Sequence, residues 1–266
     1  MRHRIVRVAG TGLSLAFLLG AYVFLLAPLL IVVVGSFNSA PTFPSVFESF
    51  TLTWYRQVFA QEDFLNGIWI SARVAFLAGL LALVLSVPFA LRVSRTTFRG
   101  KDLLMAFFMA PLALPQIVMG LAMLRFVSMI GIPASVTGLV LIHAVFIVPF
   151  VLRALLSSLA RFDRSVEEAA RNLGAGYFRT LWKVTLPMIR PGVTSGFVFA
   201  FIMSFGNVPL SLFLTSAPVV TLPIVMVNYL DLQFDPLVTA VGGLLVMGIL
   251  IPTVLLEKVF RIRLLD

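Results

Sequence analysis

Long stretches without a single charge decide what this chain can fold into. Counting histidine as neutral, residues 8–47, 74–91, 103–124, 126–152, 191–230 and 236–256 contain no ionisable side chain. Crossing a bilayer takes roughly 20 predominantly apolar residues wound as a helix, because irregular backbone would leave N–H and C=O groups unpaired in lipid. Each run has the length for one crossing. With 60% apolar and only 12% charged residues, the chain lacks the polar surface of a water-soluble fold.

The runs predict an all-α membrane protein with six transmembrane helices, over residues 12–34, 68–91, 103–124, 136–156, 193–214 and 237–258. The run 191–230 has the length for two helices, but Pro209, Pro218, Pro223 and the polar Asn228 interrupt it, so one span followed by a loop is expected. The N-terminal "MRHRIVRVAG" carries the charges of a signal peptide. The apolar stretch behind it is too long for an ordinary h-region, which points to an uncleaved first span.

Basic residues fix the orientation. Six spans place Arg2, Arg4 and Arg7, then Arg92, Arg95, Arg99 and Lys101, then Arg153, Arg161, Arg164, Arg171, Arg179, Lys183 and Arg190, then Lys258, Arg261 and Arg263 on one side. Those are 17 of the 20 Lys and Arg residues, so that side, with both termini, is cytoplasmic. The net charge of +9 thus has a membrane explanation, and the scattered charges lack a nucleic-acid recognition motif. With no cysteine and two distant histidines, His3 and His143, neither a thiolate metal site nor a histidine cluster is expected.

The densest charge lies in "EEAARNLGAGYFRTLWKVTLPMIRPG", residues 167–192, between the fourth and fifth spans. Ser165 and Glu168 have capping-box spacing. Val166, Ala169, Ala170 and Leu173 fall at i, i+3, i+4 and i+7, an apolar stripe. Glu167 and Arg171 stand at i, i+4, and Gly174 and Gly176 supply a stop. A second short helix is expected from about Tyr177 to Thr185, carrying Phe178 and Trp182, with Pro187 ending or kinking it. The same composition also permits an amphipathic segment resting on the membrane surface.

Glu168-Ala169-Ala170, then Gly174 after three residues, then Val184-Thr185-Leu186-Pro187 after nine more resemble the E-A-A-x3-G-x9-I-x-L-P signature of permease subunits in bacterial ATP-binding-cassette importers of the MetI-like type. Only the Ile position departs, as Val184. "SFNSAPTF" (36–43), "LTWY" (52–55) and "FRGK" (98–101) are similar to spermidine/putrescine-type permeases of that superfamily. The resemblance implies a cytoplasmic coupling helix within 157–190, seated on a separate ATPase through Glu168, Ala169, Ala170, Gly174, Tyr177, Phe178, Trp182, Leu186 and Pro187. It implies a division into residues 1–65, with the first span and an external loop, and a five-helix permease core over 66–266. The expected partners are a second, different permease subunit, two ATPase subunits, an external solute-binding protein and membrane lipid, in the bacterial inner membrane.

Energy is expected from the partner. The only Gly-Lys pair, Gly100-Lys101, is followed by Asp102 and lacks an upstream P-loop glycine, so ATP and Mg are expected on the ATPase and no cofactor on this chain, which is read as non-catalytic. The alternative, an ion-coupled secondary transporter acting without an ATPase, would place acids or histidines in the membrane as relays, whereas the predicted spans hold only His143. That histidine is read as an interior hydrogen-bonded group. The kinked "MAPLALP" (109–115) and "SFGNVPLSLF" (204–213) make Pro111, Pro115, Asn207 and Ser211 the pathway candidates. Asn207 either faces the passage or bonds another helix.

Substrate class stays open at this level. The subgroup resemblance implies a polyamine or a related organic compound, which acids or aromatic rings facing the passage would help, while a small organic cation, an amino-acid-like compound or an organophosphonate stays open. Asp231, Asp235, Glu48, Glu62 and Asp63 fall on the external side, either as an entrance field or as ordinary solvated charges.

Overall fold

The computed structural model describes the backbone of residues 2–42, 47–133, 135–216, 219–233 and 235–260, and side chains from 14 to 248 apart from 16 and the same gaps. Expectations placed on His3, Phe43, Pro218 and the terminal basic residues Arg2, Arg4, Arg7, Lys258, Arg261 and Arg263 lie outside the described side chains.

In chain order the helices are α1 (Arg2–Gly35), α2 (Thr53–Ala60), α3 (Glu62–Arg95), α4 (Lys101–Met109, prolonged by a 3-10 turn Ala110–Ala113), α5 (Gln116–Met129), α6 (Val136–Ala160), α7 (Ser165–Asn172) and α8 (Tyr177–Thr180). A π turn (Leu181–Thr185) joins α8 to α9 (Leu186–Met188), followed by α10 (Arg190–Phe205), α11 (Val208–Leu214), α12 (Leu222–Leu232) and α13 (Leu237–Phe260). The fold is thus all-α, with two isolated β-bridges among the described residues. Phe17–Gly35, Glu62–Arg95 and Val136–Ala160 are long and apolar enough to cross a membrane, and two bent helix pairs raise the candidates to as many as five.

At both segments that the sequence reads as kinked, the helix is broken outright. Over 103–124 the helix breaks between Ala113 and Gln116 with a bend of 107°. Pro115 forces the preceding Leu114 into extended backbone (φ −92°, ψ 137°), and Pro111 has already removed a donor from the turn before it. The expected span 193–214 starts earlier, at Arg190, and stops at Phe205. Asn207 is extended (ψ 105°) and begins the separate α11, in whose first turn Pro209 sits where no backbone N–H is missed. The predicted loop beyond it contains α12, and Pro223 lies in that helix's first turn rather than breaking it. By contrast Pro28, Pro88 and Pro149 are accommodated inside α1, α3 and α6.

Two compact units divide the chain, one from Met1–Glu62 with Asn228–Arg261 and the other from Asp63–Val227. In the first, α13 packs on α1 and α2. Gly243 allows this approach: a Cβ there would stand 2.8 Å from the Tyr55 hydroxyl, which itself bonds Ser36 Oγ at 2.8 Å. Asn38 folds the loop after α1, its Oδ1 accepting from the Ala40 and Glu48 amides while its carbonyl accepts from Trp54 Nε1. Asp235, an entrance candidate in the sequence, is occupied as a cap: its carboxylate accepts from Tyr229 Oη at 2.8 Å and from the Leu237 amide at 3.0 Å.

The second unit is centred on α6, whose Leu139, Ile142, Ile147, Val151, Leu152 and Leu155 are buried. Its principal neighbour is α10. Gly192 and Gly196, four residues apart on α10, meet Ala154 and Ser158 on α6, and a Cβ at Gly192 would lie 2.4 Å from Ser158 Cβ. Small residues at this spacing let membrane helices approach closely. His143 is buried, its Nδ1 2.8 Å from Ser204 Oγ on α10 and its Nε2 3.4 Å from Ser211 Oγ on α11. The expected interior hydrogen-bonded histidine is therefore present, tying three helices at the point where the chain breaks.

Candidate coupling loop

The charged loop folds as two short helices meeting at a glycine. At the start of α7 the expected capping box is absent: no Ser165 side-chain cap forms. Asp163 serves instead, its Oδ1 accepting from the Ser165 amide at 2.9 Å. That bond holds the Asp163 carboxyl below the ordinary carboxylate range. The stop is as the glycine predicted. Gly174 has φ +86°, its amide donates to the Arg171 carbonyl at 2.9 Å, and the Ala175 amide donates to Ala170 O at 3.0 Å. This is the Schellman arrangement, in which a left-handed residue satisfies the last carbonyls of a helix.

Glu167 carries the main surprise. The sequence pairs it with Arg171, but the structure turns it inward, leaving it 6% exposed. Its Oε1 accepts from Arg95 Nη2 at the C-terminal end of α3 and from Thr185 Oγ1 in the π turn. Arg164 Nη2 donates to the Ser94 carbonyl, adding a second tie between the loop and the last turn of α3. Packing wins over the local pair because a helix carboxylate that reaches a guanidinium and a hydroxyl out of water gains more than an exposed i, i+4 contact, which is worth only about 0.2–0.5 kcal/mol. A pair from residues 72 positions apart is invisible to local spacing.

With Glu167 facing inward, Glu168 and Ala169 face outward and Ala170 is half-buried. The predicted apolar stripe also looks away from the protein: Val166 is 38% and Leu173 89% exposed. Phe178 (73%) extends this surface and meets Tyr177 edge-on, ring centroids 5.4 Å apart. Tyr177, Trp182 and Leu186 stand on the other flank, where they line a cavity against α3. Apolar groups displayed together on a rigid base mark an interaction surface.

After α8 the π turn shifts the backbone register, the Leu186 amide bonding back five residues to Leu181 O. Pro187 follows inside α9, and the chain then bends by 68° into α10. The break falls at Ile189, two residues beyond the proline expected to kink it, with Pro191 in the first turn of the next helix.

The pathway candidates are dispersed. Pro111 lies in the 3-10 turn and Pro115 begins α5. Asn207 is 5% exposed and takes a role the sequence did not suggest, its Oδ1 accepting from the Leu210 amide at 2.9 Å to cap α11. Ser211 is buried beside His143.

Residues 82–265, which include this loop, match the family described as binding-protein-dependent transport system inner membrane component. The chain is 29% identical over 246 residues to the spermidine/putrescine transport system permease protein PotC of Haemophilus influenzae, covering 92% of this chain and 95% of that one. It is 31% identical over 235 residues to the putrescine transport system permease protein PotI of Escherichia coli, covering 86% and 83%. Its fold is similar, with a TM-score of 0.68 at 21% identity, to a chain in the crystal structure of a bacterial ABC transporter involved in the import of the acidic polysaccharide alginate, over 94% of this chain and 95% of that one. A helical membrane chain with a braced, outward-facing E-A-A loop and these relatives is a member of the binding-protein-dependent transport system inner membrane component family, the permease subunits of ABC importers.

Proposed function

We propose that this chain forms one half of the translocation pathway of an inner-membrane importer, crossing the membrane six times with both termini in the cytoplasm. The loop over 157–190 couples it to a separate ATPase subunit. A second, different permease subunit, a second ATPase copy and an external solute-binding protein complete the assembly, with ATP and Mg on the ATPases. One observation carries this reading: the loop holds Glu168 outward while the adjacent Glu167 is locked inward on Arg95 and Thr185. A push on Glu168, Ala169 and the exposed Leu173 and Phe178 is then delivered to α3 through the brace and to α10 through the bend at Ile189. ATP binding closes the ATPases, moves residues 161–187 and opens the cavity outward, and hydrolysis resets it.

Family membership sets aside an ion-coupled carrier working alone. The relatives' names favour a polyamine as the solute. Among the described residues the interiors of α4, α5, α6, α10 and α11 carry no acid. Recognition of a cation would then fall to the binding protein and to the second permease. Pro111, Pro115, Asn207 and Ser211 serve the pathway through the backbone bends they create and hold, since the side chains of Asn207 and Ser211 are engaged within the protein.

The chain contains no cysteine, so Glu168→Cys introduces a unique thiol. Co-expressed with its ATPase, that variant is expected to cross-link to the ATPase, and to do so differently with and without ATP. Failure to cross-link in assembled transporter would remove Glu168 from the contact.

A further inference from the structure

A cavity of about 740 Å³ lies between the cytoplasmic half of α3 and the second helix of the loop. Along α3 its wall changes character. Val84, Val87 and Leu91 are apolar, and the next residue, Arg92, and then Arg95 about one turn on enter the lining. Arg171, Tyr177 and Trp182 close it from the loop side. Among the described residues no acidic side chain lines it. Arg95 is neutralised by Glu167, whereas Arg92 and Arg171 have no acidic partner among the described residues.

We propose that this cavity binds an anionic phospholipid of the inner leaflet, its acyl chain along Val84, Val87 and Leu91 and its phosphate between Arg92 and Arg171. The chemistry is matched at both ends. Val84 is 68% exposed on a membrane-length helix, the surface that acyl chains cover. Two guanidinium forks suit a phosphate, which accepts several N–H bonds at once. Trp182, 68% exposed, supplies the amphipathic ring found at headgroup depth. A soluble anion would engage the guanidinia but leave the apolar wall wet; an acyl chain covers it. A lipid held there bridges α3 and the loop on the flank opposite the Glu168 surface, making the brace sensitive to membrane composition. The inference goes beyond the transport reading and relies on it only for the cytoplasmic side.

The test is native mass spectrometry of the purified full-length chain titrated with phosphatidylglycerol or with phosphatidylcholine of the same chain length. Phosphatidylglycerol is expected to bind tighter by at least about tenfold, and the double change Arg92→Gln with Arg171→Gln to abolish that preference, as loss of charge-assisted bonds demands. Arg161→Gln, a loop cation that does not line the cavity, is expected to leave it intact. Val87→Phe, which fills the apolar wall without touching charge, is expected to weaken both lipids and provides a reading if the double variant does not fold. Equal affinity for the two lipids would overturn the proposal, as would an unchanged preference in the double variant. Complete displacement of phosphatidylglycerol by millimolar inorganic phosphate would overturn it too, assigning the guanidinia to a soluble anion.

Discussion

Removing the Glu167 carboxylate tests whether the loop is a rigid lever. Glu167 is 7% and Arg95 20% exposed at the side chain, and Thr185 donates to the same carboxylate oxygen. Deleting one partner of a buried pair costs about 3–5 kcal/mol, mostly because the other charge is stranded. Arg95 retains some water, which takes over part of its solvation, so Glu167→Ala is expected near the low end, about 3 kcal/mol. At about 1.4 kcal/mol per tenfold, the undocked population of α7 then rises on the order of 100-fold. Glu167→Gln keeps an oxygen for Thr185 and one guanidinium N–H but loses the charge, for a cost of about 1–2 kcal/mol. Hydrogen exchange over residues 165–173 reads the docking equilibrium directly. Exchange should quicken in the order wild type, Gln, Ala, and in the assembled importer ATP hydrolysis should continue while uptake falls. An exposed ion pair would contribute about 0–1 kcal/mol, and exchange in the Ala variant within about fivefold of wild type would place Glu167 in that class and refute the brace.

Glu168→Ala is expected to abolish uptake without altering membrane insertion or exchange in α7, since the side chain is exposed; normal uptake would count against the contact. Gly174→Ala meets no neighbouring atom within 4 Å but must hold φ +86°, so about 1–2 kcal/mol of backbone strain should weaken the loop, measurable as faster exchange at the amides of positions 174 and 175. Gly192→Val drives atoms into Ser158 and should lower thermal stability through overpacking by at least about 1–3 kcal/mol; a Tm equal to wild type would mean α6 and α10 are farther apart than described. The Asp163 cap depends on a carboxyl whose folded-state pKa is depressed, so its stabilisation is present above the usual carboxylate range and is lost as pH falls through the lowered value. Protection of the Ser165 amide, taken relative to its intrinsic exchange rate at each pH, should accordingly fall on acidification, and in Asp163→Ala it should be low at neutral pH already.

What the sequence made legible follows the range of the interactions involved. Uncharged runs and the Gly174 stop are local: the glycine stop falls where spacing put it, and the uncharged runs appear as apolar helices, two of them broken. Asp163 was passed over because Ser165 and Glu168 offered a more familiar cap three residues apart; the Asp163–Ser165 turn is just as local and its signal was available. The Glu167–Arg95 pair and the His143–Ser204–Ser211 cluster join residues from distant helices, and composition cannot announce them. Breaks were seen as prolines but misplaced as kinks, because a proline tells only that a bond is missing. Whether the helix tolerates the loss, as at Pro149, or stops, as before Pro115, depends on what surrounds it.

The bend at Ile189 gives the brace its purpose in the proposed coupling. A loop connected to the membrane only through α10 would rotate about Ile189 when pushed, because the chain there turns by 68° and the π turn has already loosened the helical register. Force would be lost in that rotation. The ties from Glu167 and Arg164 to the end of α3 supply a second point of attachment, so motion of α7 must carry α3 with it. Gly192 and Gly196, packed on α6, resist separation at the other arm. Under the proposed coupling the loop must be held on both sides, and the adjacent acids would divide the work: Glu168 faces outward, while Glu167 keeps the lever from turning.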